Sequence, residues 1–220
     1  MTFSSRIRFW IGKALLGDEY LTVGSISDIE LNSLLYRKRV AIIGNARSLG
    51  KLTLGPEIDS FDIVIRLNDA PIPSHESHGN RTDWLAVAKT VSRETIRVRA
   101  PAVLLWMPTK RARLKHHMFV YTQFYLNALG RNFLLRNKLG APPSLGYMMI
   151  DLLERSEAQC VRLFGFDFFS SKSLSGDRTA LQVPHDFQAE EFAVHDLIRR
   201  DPRFTLAHNA SPRRAQSFIR

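Results

Sequence analysis

His185 and Glu190 are the first residues whose types and spacing suggest catalysis, in Pro184-His185-Asp186-Phe187-Gln188-Ala189-Glu190. A neutral imidazole takes a proton from a hydroxyl near neutral pH. His185 is therefore a candidate general base, and Glu190 a group that orients it or secures its segment. The same residues also suit a solvated helix start near Asp186, and spacing alone leaves both readings open.

Three other segments join small residues to polar ones. Val40-Ala41-Ile42-Ile43-Gly44-Asn45-Ala46-Arg47-Ser48-Leu49-Gly50 runs from a buried-strand pattern into a loop. Gly44 lets the backbone approach a phosphate or ribose, and Asn45 brings both a donor and an acceptor. Asp62 to Pro71 ends a second strand pattern with Arg66 and Asn68, two residues apart and so expected on one face. Pro142-Pro143-Ser144-Leu145-Gly146 leads into a helix start, whose free N–H groups and dipole favour an anion. Simple N-capping by Ser144 is the alternative there. The common phosphate fingerprints are missing. Gly50-Lys51-Leu52 lacks the hydroxyl residue of a phosphate loop and is misspaced from Gly44, and no dinucleotide glycine pattern occurs.

These segments need a frame. Short apolar runs at Val40–Gly44, Asp62–Leu67, Trp84–Ala88, Ala102–Trp106, Cys160–Phe166 and Phe204–Ala207 read as strands. Helical stretches are expected over Lys110–Leu129, Ser144–Arg155 and Asp186–Arg200. Alternation of this kind predicts an α/β fold, a single Rossmann-like domain with a mainly parallel sheet flanked by helices. The ends of parallel strands are where ligands bind in such folds.

Composition sets outer bounds. The 220 residues suffice for one well-buried domain. We divide them into a basic amphipathic segment (1–35), a catalytic domain (36–210) and a loose basic tail (211–220). Thirty-one basic against 21 acidic residues give a net charge of +10, which favours polyanionic partners. Nucleic acid is not expected, because the aromatics are not interleaved with basic residues and no RNA-binding or zinc pattern appears. A non-enzymatic basic module binding nucleic acid or membrane is the distant alternative. The single cysteine, Cys160, cannot form an intramolecular disulfide, which fits a reducing, cytoplasmic compartment. No run approaches the ~20 apolar residues that cross a bilayer. Residues 1–17 place Phe3, Ile7, Trp10, Ile11 and Leu15 on one helical face beside Arg6, Arg8 and Lys13. They suit either contact with an anionic membrane surface or packing on the core.

Taken together, the segments resemble glycosyltransferase family 29, the sialyltransferases. Val40 to about Asp83 is similar to the long sialyl motif, with Gly44-Asn45 near its start, Arg66-Leu67-Asn68 in its middle and Gly79-Asn80-Arg81-Thr82-Asp83 at its close. Pro143-Ser144-Leu145-Gly146 and Val161-Arg162-Leu163-Phe164-Gly165-Phe166 resemble the short motif, and His185 with Glu190 the very short motif. The resemblance implies a GT-A-variant fold and an inverting transferase that moves sialic acid from CMP-sialic acid to a hydroxyl of a glycan or glycolipid, with no metal and no cofactor. It implies that Asn45 and Asn68 hold the nucleotide and its phosphate, that Ser144, Leu145 and Gly146 bind ribose or phosphate through the backbone, and that His185 is the base. Two departures stand out. The family's disulfide between long and short motifs is impossible here, which points to a bacterial-type member. Ser170 to Pro184 also lacks the family's further histidine, leaving Arg178, Lys172 and Arg66 as candidate phosphate contacts. That absence makes a CMP-Kdo-dependent transferase acting on lipopolysaccharide or capsule the alternative.

Overall fold

The computed structural model describes residues 3–69, 71–121, 123–168, 174 and 182–207. Seven strands form one sheet: β1 (Arg39–Ile43), β2 (Ile63–Leu67), β3 (Trp84–Val87), β4 (Val103–Trp106), β5 (Gln123–Leu126), β6 (Cys160–Phe164) and β7 (Phe204–Leu206). The helices are α1 (Phe3–Leu16), α2 (Asp18–Val23), α3 (Asp28–Leu35), α4 (Gly55–Asp59), α5 (His75–His78), α6 (Arg93–Arg99), α7 (His116–Phe119), α8 (Leu129–Leu139), α9 (Leu145–Glu154) and α10 (Phe187–Arg200).

The strand order is β5-β4-β3-β2-β1-β6-β7 and every pairing is parallel. A parallel sheet covered on both faces asks for apolar residues at successive positions. Val40-Ala41-Ile42-Ile43 and Ile63-Val64-Ile65 supply them, all buried. Ile42 sits level with Ile65 on one side and Leu163 on the other. One face packs Ile42, Ile65, Leu105 and Leu163 against α3, α8, α9 and α10. The opposite face packs Leu85, Leu104 and Trp106 against α1, α2, α6 and α7, and Ala41, Ile43 and Val64 against α4. Strands β2 to β5 extend from β1 in one direction and β6 and β7 in the other. A crevice therefore opens between the ends of β1 and β6, the switch point where open α/β sheets place ligands.

The expected strands are all present, within a residue or two at each end. The expected helix over Lys110–Leu129 is not. That stretch holds a 3-10 turn at Arg111–Arg113, the short α7 and the strand β5. Its apolar residues serve both sheet faces: Phe124 and Leu126 enter the core on one side, Tyr125 on the other. A period of two competes with a helical period over so short a run, and pairing with β4 decides it. Helix α8 begins only where that segment ends.

Ser144 caps α9, accepting from the N–H of Tyr147, and Asp186 caps α10, accepting from the N–H of Ala189. Among the described side chains of α1 the buried one is Phe9, enclosed by the rings of Tyr20, His116 and Phe119. The tail 211–220 lies outside the described residues. No described helix is long and apolar enough to cross a membrane.

Candidate functional site

A cavity of about 250 Å³ opens at the carboxyl ends of β1, β2 and β6. Gly44, Asn45, Asn68, Ser144, Leu145, Gly146, His185 and Glu190 all line it. The sheet contributes the first three. The starts of α9 and α10, on the same face of the sheet, contribute the rest.

Backbone crowding sets the floor. The N–H of Gly44 donates to the carbonyl of Phe164 at 2.7 Å, and that of Ala46 to the carbonyl of Gly165 at 3.2 Å. A Cβ on Gly44 would stand 2.4 Å from the Gly165 oxygen, and Gly165 itself has φ +67°. Gly44 is thus required by the approach of two chain segments, whatever ligand enters. Gly44→Ala is expected to cost about 1–3 kcal/mol, because the neighbouring atom is backbone and cannot swing away. Chemical denaturation of both proteins measures this. Gly146 answers a similar demand, since a Cβ there would meet the Phe166 ring at 2.8 Å.

Asn68 lies one residue past β2 with φ +54°, a conformation that asparagine tolerates better than most residues. Its Oδ1 accepts from the N–H of Ala88 at 3.0 Å, tying the ends of β2 and β3 together. This turn also breaks the alternation that should have set Arg66 and Asn68 on one face. Arg66 is buried on the opposite side of the sheet and does not line the cavity. Its guanidinium donates to the carbonyls of Arg81 and His78 at 2.8 and 2.7 Å, fixing the loop before β3. Burial pulls its pKa down to about 10, so it remains a cation at neutral pH. Arg178 and Lys172 lie outside the described residues. Among the described lining residues there is no lysine or arginine.

The start of α9 is held from α10. Glu190 is buried, 3% exposed. Its carboxylate accepts from the backbone N–H and from the hydroxyl of Ser144, both at 2.6 Å. The Ser144 oxygen in turn accepts from the N–H of Tyr147 at 3.2 Å. Two N–H groups of the first turn, those of Leu145 and Gly146, have no carbonyl a turn below to bond. Leu145 and Gly146 both line the cavity, which makes this helix start its anion-suited part. Burial raises the Glu190 carboxyl to about 7, against the two Ser144 hydrogen bonds, which favour the carboxylate. The nearby Asp186 pushes it the same way as burial.

His185 completes the wall. Its Nδ1 lies 2.8 Å from the carbonyl oxygen of Pro142, a group that only accepts. Nδ1 therefore carries the hydrogen, and in the neutral ring Nε2 holds the lone pair. This partner had no signal in the sequence, because Pro142 lies 43 residues away, in the loop before α9. Phe166, Asp167 and Phe168 were likewise missed as lining residues. They follow β6 directly, and the rule that ligands sit at strand ends would have found them. His116, His117 and His195 do not line the cavity. His116 packs on Phe9, and His117 contacts the Val91 carbonyl. His195 stands on α10 with its ring 6.1 Å from that of Phe168. A larger hollow, about 500 Å³, lies beside α3 and is lined by Asp28, Tyr125 and Arg155. It contains none of the residues that the sequence singles out.

Comparison with known proteins bears on this arrangement. Residues 26–89 match the model of glycosyltransferase family 29 (sialyltransferase). That match takes in β1 to β3 and stops short of α9 and α10. A type 2 lactosamine alpha-2,3-sialyltransferase of Rattus norvegicus is 46% identical over 48 residues, 21% of this chain and 14% of that protein. A lactosylceramide alpha-2,3-sialyltransferase of the same organism is 50% identical over 46 residues, 20% and 12% of the two chains. The matched stretch thus spans about one seventh of the first relative's length. These relatives are mammalian, and the bacterial-type assignment finds no support in them. Among solved structures, a mammalian sialyltransferase in complex with Gal-beta-1-3GalNAc-ortho-nitrophenol superposes with a TM-score of 0.60 at 17% identity, over 94% of this chain and 86% of that one. The sialyltransferase CstII from Campylobacter jejuni, in complex with cytidine-5'-monophosphate, superposes with a TM-score of 0.53 at 16% identity, over 78% and 79%. The fold of this chain is the α/β fold of these sialyltransferases.

Proposed function

We propose that this chain is a glycosyltransferase that moves sialic acid from CMP-sialic acid to a hydroxyl of a glycan or glycolipid, with inversion at the sugar. The observation that carries the reading is the one cavity into which four distant segments converge, with Nε2 of His185 unpartnered among the described residues. The family match over residues 26–89 supports the same class.

In the proposed reaction the acceptor oxygen attacks the anomeric carbon. Its proton passes to Nε2 of His185, the bond from that carbon to the phosphate oxygen breaks, and CMP departs. A phosphate leaving group is weakly basic and asks for no strong acid. The donor's own carboxylate balances charge that develops on the sugar, so the proposal includes no resident metal and no cofactor. Asn45 and Asn68 would meet the nucleotide, and the N–H groups of Leu145 and Gly146 its phosphate or ribose. Glu190 would act on the site through Ser144, as a positioning residue rather than as the base.

Calorimetry with CMP, UMP, GDP and NAD tests the donor. CMP is expected to bind most tightly, with no change on adding a chelator. A preference for GDP or NAD would overturn the reading. Binding to generic DNA that falls steeply with salt, without CMP binding, would instead indicate a basic nucleic-acid module. The absence of histidine from residues 170–184 favours keeping CMP-Kdo as a second donor, with lipopolysaccharide or capsule as acceptor. Turnover measured with both CMP-sugars decides between them. A cytoplasmic site of action, suggested by the lone Cys160, is part of the same proposal.

A further inference from the structure

A helix that serves only the core turns its longest apolar stripe inward. α1 does the reverse. Among its described side chains the enclosed one is Phe9, at 0% exposure. At about 3.6 residues per turn, Ile7, Ile11 and Leu15 fall on the opposite side of the helix, with Trp10 at their flank. All four are exposed: Ile11 53%, Leu15 78% and Trp10 44%, with Ile7 close to Trp10. The border of this stripe is basic. Arg6 and Arg8 are exposed, and α1 contains no aspartate or glutamate. The ammonium groups of Lys13 and Lys115 lie 5.2 and 5.7 Å from the Trp10 ring centroid. Lys13 is further anchored by a 2.8 Å hydrogen bond to the carbonyl of Leu114, which joins α1 to the basic segment 110–115.

We propose that this face of α1 seats on an anionic lipid bilayer. Ile7, Ile11 and Leu15 enter the boundary between headgroups and acyl chains, and the basic border meets lipid phosphates. Charge decides the occupant. A second copy of this chain, paired through the same face about a twofold axis, would bring two basic helix faces together, with no carboxylate in either α1 to offset Arg6 and Arg8. An anionic surface neutralises them. Trp10, apolar in body with cations beside it, suits the headgroup level. Seating of α1 on a bilayer needs neither donor nor acceptor.

The test is flotation of the full chain with vesicles of phosphatidylcholine alone and of phosphatidylcholine with phosphatidylglycerol. Tryptophan emission is recorded in parallel. Trp84 and Trp106 are buried, so a blue shift on adding vesicles reports Trp10. The wild type is expected to float with the mixed vesicles, with a blue shift, and far less with phosphatidylcholine alone. Ile11→Ser with Leu15→Ser should lower the partition coefficient roughly tenfold or more, because two exposed side chains lose their transfer energy. Arg8→Gln should lower it about fivefold, the equivalent of one surface charge. Both variants alter exposed positions, and thermal unfolding checks that they fold as the wild type does. Equal flotation of the double serine variant, or no flotation of the wild type, overturns the proposal. So does a wild type that dimerises without floating and becomes monomeric in the double variant, which would make a second copy the occupant.

Discussion

Replacing His185 with alanine is expected to lower sugar transfer by about 10²–10⁴-fold while CMP binds as before. The reason is geometric. The hydrogen bond from Nδ1 to the Pro142 carbonyl leaves Nε2 as the acceptor and turns the ring on a fixed pivot. A sugar hydroxyl is a weak acid, so its attack gains from a base aimed at its proton. His185→Asn sharpens the test. An asparagine amide can still donate to Pro142, yet it offers no basic nitrogen. If the ring only secures the segment, asparagine should restore much of the activity that alanine loses. If it is the base, both variants should be equally inactive. Near-normal turnover of His185→Ala with authentic donor and acceptor would remove the assignment. Joint loss of CMP binding and turnover would make His185 a donor ligand. His195 would then be the next histidine to replace, because its ring packs near Phe168 at the cavity edge.

Glu190 should dominate the stability of the site. Glu190→Ala leaves the N–H and hydroxyl of Ser144 without their acceptor in a buried place, at about 1–3 kcal/mol for each group. It also leaves a void between α9 and α10. The expected loss is about 3–5 kcal/mol, read from denaturant midpoints at constant slope. The carboxyl adds a pH signature. Its value in the folded chain, about 7, lies above the ordinary 4.5 because burial disfavours the charge. Between those values the folded chain retains a proton that the unfolded chain releases. This contribution is complete below pH 4.5 and is lost as the pH rises through 7. It amounts to about 3 kcal/mol at most. Glu190→Gln cannot titrate, so its stability should fall less between pH 5 and pH 8 than that of the wild type. Identical pH profiles for the two proteins would show that the Glu190 carboxyl keeps its ordinary acidity.

The strands and the two helices that frame the cavity were legible because their signals are local. Val40 to Ile43 and Ile63 to Ile65 are apolar at successive positions, as strands buried on both faces must be. Ser144 and Asp186 cap the helices they precede through bonds that span three residues. The residues of the motifs could be named from the chain for the same reason. What they touch could not. The stretch from Lys110 to Leu129 reads as a helix until β4 is there to pair with β5, and only the sheet adds that energy. Arg66 and Asn68 share a face in an ideal strand. The positive φ at Asn68 ends the strand's geometry one residue too soon for that.

Local pattern likewise found the apolar stripe of α1 but not the direction in which it points. Phe9, off the stripe, is the side chain that finds a closed pocket, so the stripe is left to solvent. The hydrogen-bond partners of His185 and Glu190 are the clearest case. Pro142 and Ser144 lie 43 and 46 residues away. Residue type and spacing determined that this chain holds a histidine, a carboxylate and a helix start fit for an anion. The tertiary structure decided which nitrogen of the histidine stays free and what the carboxylate grips. Hydrogen bonds act over about 3 Å, and only the packing of α9 and α10 on one face of the sheet brings such distant residues that close.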